Sequence, residues 1–337
     1  MIASALNNLT PADQLAFFRY GLGPDRPVPF PVIHHAFEAQ ARAQPEAIAV
    51  EHTSFNHSLT YHQLDVQANR LARRLRALGI VPGKRVCILV KRSVYLVVAL
   101  LAVLKSGGQY VPLDAVTITD TALNYVLDNA KPSAVLVMDE FAHRLHSKLQ
   151  VPTLNLEDVI MADELSDADA TKPEDTTSPS DGAYVVYTSG TTGVPKGVDV
   201  RHCGVTNGIT VFAVQSCCFL IGFFFTVIGG SPGNSGMCPG MRVSQLLNIA
   251  FDFSAWEILG ALYNGATLCL RGNTKKEWIE LMKTVDIVLA TPSMLACHEP
   301  EAYPNIKQMM IGGEAVPQGT RLITSFYQHL PTQLTFP

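Results

Sequence analysis

Charge is in short supply in this sequence. Asp, Glu, Lys and Arg make up 16% of its 337 residues and nearly cancel, 25 basic against 29 acidic, for a net charge of −4. No run of Lys or Arg interrupts the chain, so no basic footprint for nucleic acid is present and nucleic acid is not expected as a partner. Cysteine pairing is also missing. Cys87, Cys203, Cys217, Cys218, Cys238, Cys269 and Cys297 contain no CxxC spacing, which argues against both a disulfide framework and a cysteine zinc site and for reduced thiols. The first residues, MIASALNNLTPADQ, lack the basic region and apolar run of a signal peptide, so the expected location is cytoplasmic. No repeat of 20 to 50 residues is visible. Apolar residues are plentiful instead, at 47%. That excludes a disordered chain and points to buried parallel sheet or to a membrane segment.

Periodicity favours the sheet. Leu64, Ala68, Leu71, Leu75 and Leu78 recur at alternating steps of four and three, the stripe of an amphipathic helix, with Thr60 and Gln63 suited to a capping box and Gly79 to the position after the helix. Residues 85–90, RVCILV, read as a strand, followed by an apolar helix from Ser93 to Lys105 and a second strand at 110–113, a βαβ unit. A helix at 119–129 and a strand at 134–138 continue the alternation. Residues 161–181 are polar and read as a linker. Strands are then expected at 183–187, 244–250, 266–270, 286–290 and 306–311, with helices at 254–263 and 277–284. The pattern predicts an α/β fold of mostly parallel sheet covered on both faces, split near 161–181 into a first half at about 31–160 and a second at about 182–337.

Residues 187–198, YTSGTTGVPKGV, follow the strand at 183–187 with three glycines, four hydroxyl residues and a lysine. Glycines let backbone N–H groups converge on phosphate oxygens, hydroxyls add donors and Lys196 adds charge. The spacing is not that of a Walker loop. An ordinary polar turn is the plain alternative.

Taken with four further segments, this loop resembles the adenylate-forming enzymes, in particular the amino-acid-activating adenylation domains of fungal-type nonribosomal peptide synthetases. The segments are LTYHQLDVQANRLARRL from Leu59, LKSGGQYVPLD from Leu104, FDFSAWEILGALYNGATL from Phe251 and IGGEAV from Ile311, in family order. Residues 1–30 resemble the linker that precedes such a domain. The resemblance implies a large N-terminal core of two packed sheets and ATP-dependent formation of an aminoacyl adenylate, with Mg2+ as cofactor. Transfer to the phosphopantetheine thiol of a carrier protein would follow. It implies that Thr188, Ser189, Gly190, Thr191, Thr192, Gly193 and catalytic Lys196 hold the phosphates, and that Gly312 and Gly313 lie where the base approaches. Asp252 would pair with the substrate α-ammonium, and Phe253, Trp256, Leu289, Met310 and Gly312 would line the substrate pocket. The plain readings are a helix N-cap for Asp252, core packing for the apolar residues and a tight turn for the glycines. Glu314 receives no catalytic role. His34, His35, His202 and His298 show no catalytic or metal spacing and are expected to be surface or satisfied core residues.

Two departures stand out. No Asp, Glu, Lys or Arg occurs between Arg201 and Arg242, and residues 209–230 are apolar enough to qualify as a membrane span on hydropathy. The family has only a short connection there, so residues 208–232 are read as an insertion; a buried core helix and a membrane helix are the alternatives, but a span would put the phosphate loop and Asp252 on opposite sides of a bilayer, and a membrane partner is not expected. The sequence also stops at Pro337, before the family's magnesium-binding glutamate, ribose-binding aspartate and small C-terminal domain with its lysine. The expectation is a truncated domain, residues 31–337, of impaired activity. The alternative is an inactive remnant serving as a nucleotide-binding or membrane-associated interaction protein.

Overall fold

A computed structural model of the chain describes residues 9–15, 28–145, 150–161, 170–188, 194–211, 237–296 and 298–315. Helix α1 (Ile33–Ala43) leads into a hairpin of β1 (Ile48–His52) and β2 (His57–Thr60). Helix α2 (Tyr61–Ala77) starts at the expected capping box: Thr60 Oγ1 accepts from the Gln63 N–H at 3.1 Å, and Gln63 Oε1 accepts from the Thr60 N–H at 2.9 Å. Its stripe, Leu64, Ala68, Leu71 and Leu75, is fully buried. Gly79 follows with φ +81°, the left-handed closure that glycine permits. Thr60→Ala opens the box and should lower unfolding free energy by about 1 kcal/mol in urea melts.

The βαβ unit is β3 (Arg85–Val90), α3 (Val94–Lys105) and β4 (Gln109–Asp114), followed by α4 (Asp120–Ala130) and β5 (Ala134–Val137). Helix α3 is apolar on nearly every face because it is covered all round, packing on β3 and β4 on one side and on β1 and β2 on the other. Short elements α5 (Asp139–Ala142), β6 (Thr153–Asn155) and α6 (Leu156–Met161) precede β7 (Gly182–Thr188), β8 (Lys196–Arg201) and α7 (His202–Val211). Then come β9 (Arg242–Gln245), α8 (Asp252–Tyr263), β10 (Thr267–Leu270), α9 (Lys275–Met282), β11 (Ile287–Ala290), α10 (Pro292–Leu295) and β12 (Gln308–Ile311).

The strands form two six-stranded sheets, ordered β12-β11-β9-β10-β1-β2 and β6-β5-β3-β4-β7-β8. Each is parallel except for one antiparallel edge strand, β2 on β1 and β8 on β7. Fold class therefore agrees with the sequence pattern, but the sheets do not divide at 161–181. The hairpin β1–β2 belongs with the last strands, β1 pairing parallel with β10 through Val50 and Leu268, and β7–β8 belongs with the first ones through Tyr110 and Tyr184. Nor is the described part of that stretch a loose tether. Asn69 and Arg73 on α2 donate to the carbonyls of Ala170 and Thr171 at 3.0 and 2.7 Å, and Lys172 reaches Glu38 on α1 at 2.7 Å.

Among the described residues no helix is long and apolar enough to cross a membrane. The expected insertion at 208–232 begins inside α7, and its remainder from 212 lies outside the described residues.

Candidate active site

The phosphate-type loop joins β7 to β8. Thr188 ends one strand and Lys196 begins the other, directly opposite each other in the antiparallel register, with Lys196 exposed. Ser189, Gly190, Thr191, Thr192 and Gly193 lie outside the described residues. Helix α4 anchors the hairpin base: the Tyr125 hydroxyl donates to the Pro195 carbonyl at 3.0 Å, and the Tyr187 hydroxyl donates to Asn129 Oδ1 at 2.7 Å.

Asp252 is the first residue of α8. Phe251 takes the N-cap position without a side-chain hydrogen bond, so Asp252 is not the cap; its Oδ1 accepts the Phe253 N–H at 2.8 Å. Its carboxylate lies in the helix's first turn, where the aligned peptide dipoles favour negative charge. Asp252 and Thr188 line one cavity of about 410 Å3, walled by Val186, Val198, Val200 and Val205. Phe253, Trp256, Leu289, Met310 and Gly312 do not line that cavity. Trp256 and Leu289 are 2% and 1% exposed within the main apolar core, and half-buried Phe253 and Met310 pack against it. Leu289 and Met310 are register partners across β11 and β12. Beyond β12 the Gly312 N–H donates to the Ala290 carbonyl at 3.3 Å, and Gly313 holds φ +91°, a conformation strained for any other residue. The Glu314 carboxylate accepts the Ser293 N–H at the start of α10.

These positions share a place in the topology. Thr188, the loop before Asp252 and Gly312 all follow the carboxyl ends of strands that run parallel within their sheets, where open α/β sheets form ligand crevices. The two sheets are tied together there. Arg92, after β3, donates to the Gln245 side-chain carbonyl and, through Nη2, to the Leu247 carbonyl at 2.6 Å. Asn248 donates to Thr117 Oγ1, after β4, at 3.0 Å. Beneath this loop lies Glu257, fully buried on α8. It accepts the Leu246 N–H at 2.8 Å, the Leu247 N–H at 3.3 Å and the Gln245 amide at 2.9 Å. Burial pushes the Glu257 carboxyl up to about 8, against those donors and Arg92, which favour its charged form. Burial likewise lowers Arg92 to about 10.

Sequence reasoning missed this network, although its signal is visible: Glu257 is the lone charge in the otherwise apolar run SAWEILGALY. The expected strand at 244–250 is displaced for the same reason. Pairing ends at Gln245, and residues 246–251 form the polar-bonded loop instead.

A family model described as AMP-binding enzyme matches residues 37–334. The chain belongs to the AMP-binding enzyme family. Among curated relatives of this AMP-binding chain is adenylate-forming reductase 06235 of Coprinopsis cinerea, 44% identical over 320 residues that cover 95% of this chain and 29% of that protein. Malpinin synthetase of Mortierella alpina is 35% identical over 85% of this chain and 4% of its own length. The chain thus spans less than a third of the curated relatives it matches. In fold it is similar to the nonribosomal peptide synthetase FmoA3 in an AMPPNP-bound form, at a TM-score of 0.75 and 24% identity over 92% of this chain and 32% of that one. It is also similar to VinN in complex with L-aspartate, at 0.71 and 22% over 88% and 72%.

Proposed function

We propose that this AMP-binding chain activates an α-amino acid with ATP as an aminoacyl adenylate. The observation that carries the reading is the cavity shared by Asp252 and Thr188 at the base of the β7–β8 hairpin. A carboxylate oxygen of the substrate attacks the α-phosphorus of ATP, and the bond to the departing pyrophosphate breaks. Two anions must meet, so positioning and charge neutralisation supply most of the catalysis. Thr188 and residues 189–193 cradle the phosphates, Lys196 neutralises the departing charge, and Gly312 and Gly313 let the base approach the strand end. Asp252 pairs with the α-ammonium, half-buried Phe253 and Met310 are the candidates for the apolar side of the substrate site, and buried Trp256 and Leu289 back them from the core. Magnesium would neutralise phosphate charge; among the described residues the one group of three metal-type ligands lies at His34, His35 and Asp175, so no step is assigned to that ion. Residues 31–337 act as one adenylation unit carrying an apolar insertion at 208–232, and a carrier-protein thiol accepts the acyl group.

A second reading follows from the 44% identity to an adenylate-forming reductase. It keeps the same adenylation and passes the acyl group to a reducing step outside this chain. Pyrophosphate exchange, measured with the full-length protein, tests the shared step: exchange dependent on α-amino acids supports the main reading, and exchange with carboxylic acids lacking the amine overturns it. Lys196→Ala should lower exchange about 10- to 150-fold with every acid alike, the value of one hydrogen bond to a charged group, without changing preference among them.

A further inference from the structure

The four histidines that looked unrelated in the sequence do not stay apart. His298 stands apart in the core, its Nδ1 bonded to the Tyr303 hydroxyl at 2.5 Å. The other three converge where α1 begins. His34 and His35 occupy its first turn, and both direct Nε2 at a single oxygen, Asp175 Oδ2, at 2.9 and 2.5 Å. The two rings lie edge to face, 4.8 Å between centroids. Asp175 comes from the stretch packed on α1 and α2, and its other oxygen accepts the Thr177 N–H at 2.9 Å, which fixes the carboxylate's orientation. The three ligand atoms lie within 4.8 Å of one another.

We propose that His34, His35 and Asp175 form a binding site for a transition-metal ion of the zinc class. A third imidazole lies behind the cluster. His34 and His202 are both fully buried with ring centroids 5.9 Å apart, and His34 Nδ1 and His202 Nε2 have no hydrogen-bond partner. His202 is held in place by the Ile33 N–H, which donates to its Nδ1 at 3.3 Å.

Beside the site the carboxylates of Glu38, Asp65 and Asp175 pair with the ammonium groups of Lys105 and Lys172. Lys172 sits 3.1 Å from Asp175 Oδ2 but 2.7 Å from Glu38, so it retains a partner when an ion takes that oxygen. A two-nitrogen, one-oxygen donor set selects zinc, cobalt or nickel over magnesium or calcium, which prefer oxygen alone. A tetrahedral ion with bonds of ~2.0 Å spaces its ligands ~3.3 Å apart, so each ring withdraws from Asp175 by less than an ångström while the two ring nitrogens, within 4.8 Å of each other, close by up to about 1.5 Å, and water fills the fourth position. His35 and Asp175, 35% and 17% exposed, leave that side open to solvent. The ion would fasten residues 170–181 to α1.

Titration of ZnCl2 into the full chain, followed by calorimetry and thermal unfolding, should show one saturable site and a rise in the midpoint, with none from MgCl2. CoCl2 should give the visible absorption of tetrahedral cobalt without thiolate charge-transfer bands. His35→Ala and Asp175→Asn should each weaken zinc binding at least tenfold. Since Asp175→Asn also removes a partner of Lys172, the half-exposed His35→Ala is the deciding variant. Absence of saturable zinc binding, cobalt spectra of thiolate type, or a His35→Ala chain that binds zinc as tightly as its parent would each overturn the assignment.

Discussion

Asp252→Ala, made in the full-length protein, is expected to lower kcat/KM for the amino acid on the order of 30-fold to several thousand-fold. That range corresponds to the loss of about 2–5 kcal/mol when one member of a desolvated charge pair is removed. Three features make Asp252 the place to look. Its carboxylate is only part-exposed, it lines the cavity beside Thr188, and it is not the N-cap of α8. A residue whose sole task was favourable interaction with the helix dipole would cost only about 0.3–1 kcal/mol of stability when lost, and no selectivity. Steady-state exchange separates the two. The pairing role predicts that discrimination against the des-amino acid collapses in Asp252→Ala while the melting temperature barely moves. Unchanged discrimination would remove Asp252 from the substrate site, and with it the preference for α-amino acids.

Local signals in this chain translated well into structure wherever the physics is local. The strand at 85–90 has the boundaries its branched apolar run suggests, and Thr60, Gln63 and Gly79 punctuate α2 as their chemistry requires. Strand β8 was missed because KGVDVR is an exposed edge with little apolar content, where pairing with β7 overrides propensity. Sheet membership was misjudged for a different reason. Pairing of β1 with β10 joins residues more than two hundred apart, and nothing in a window of sequence encodes it. The same distance hid the histidine cluster: His34 and His35 are adjacent, but Asp175 reaches them only through the path of the intervening chain. At the active site, the motif residues were legible as types in a spacing. Which of them face a cavity and which lie in the core depends on burial, and Trp256 at 2% and Leu289 at 1% exposure belong to the core.

Glu257 should rank among the most sensitive positions for stability. Replacing it with Leu leaves the Leu246 N–H and the Leu247 N–H without their acceptor inside the protein, while the Gln245 amide keeps the Leu247 carbonyl at 2.8 Å and the Ser254 hydroxyl at 3.1 Å. Each such group costs about 1–3 kcal/mol, so a loss of roughly 2–6 kcal/mol in urea melts is expected. Glu257→Gln isolates the ionisation. Burial raises the folded-state value of Glu257 to about 8 from an ordinary 4.5, so the protonated form is the one folding favours. Its contribution is therefore fully present below pH ~4.5 and is lost as pH rises through about 8. Buried His34 and His202 act in the opposite sense, since their lowered values cost stability as pH falls below the ordinary 6.5. The difference between wild type and Glu257→Gln cancels the histidine contribution. That difference should shrink steadily from pH 5 to pH 8.5 as the wild type loses its advantage. The consequence reaches the active site, because the bonds Glu257 makes hold the loop that Arg92 ties to the other sheet and that leads directly into Asp252. Amide exchange at 246–253 should accelerate in Glu257→Leu well beyond that of the β3 and β4 amides. Uniform acceleration across both sheets would show instead that Glu257 supports the core as a whole rather than this loop.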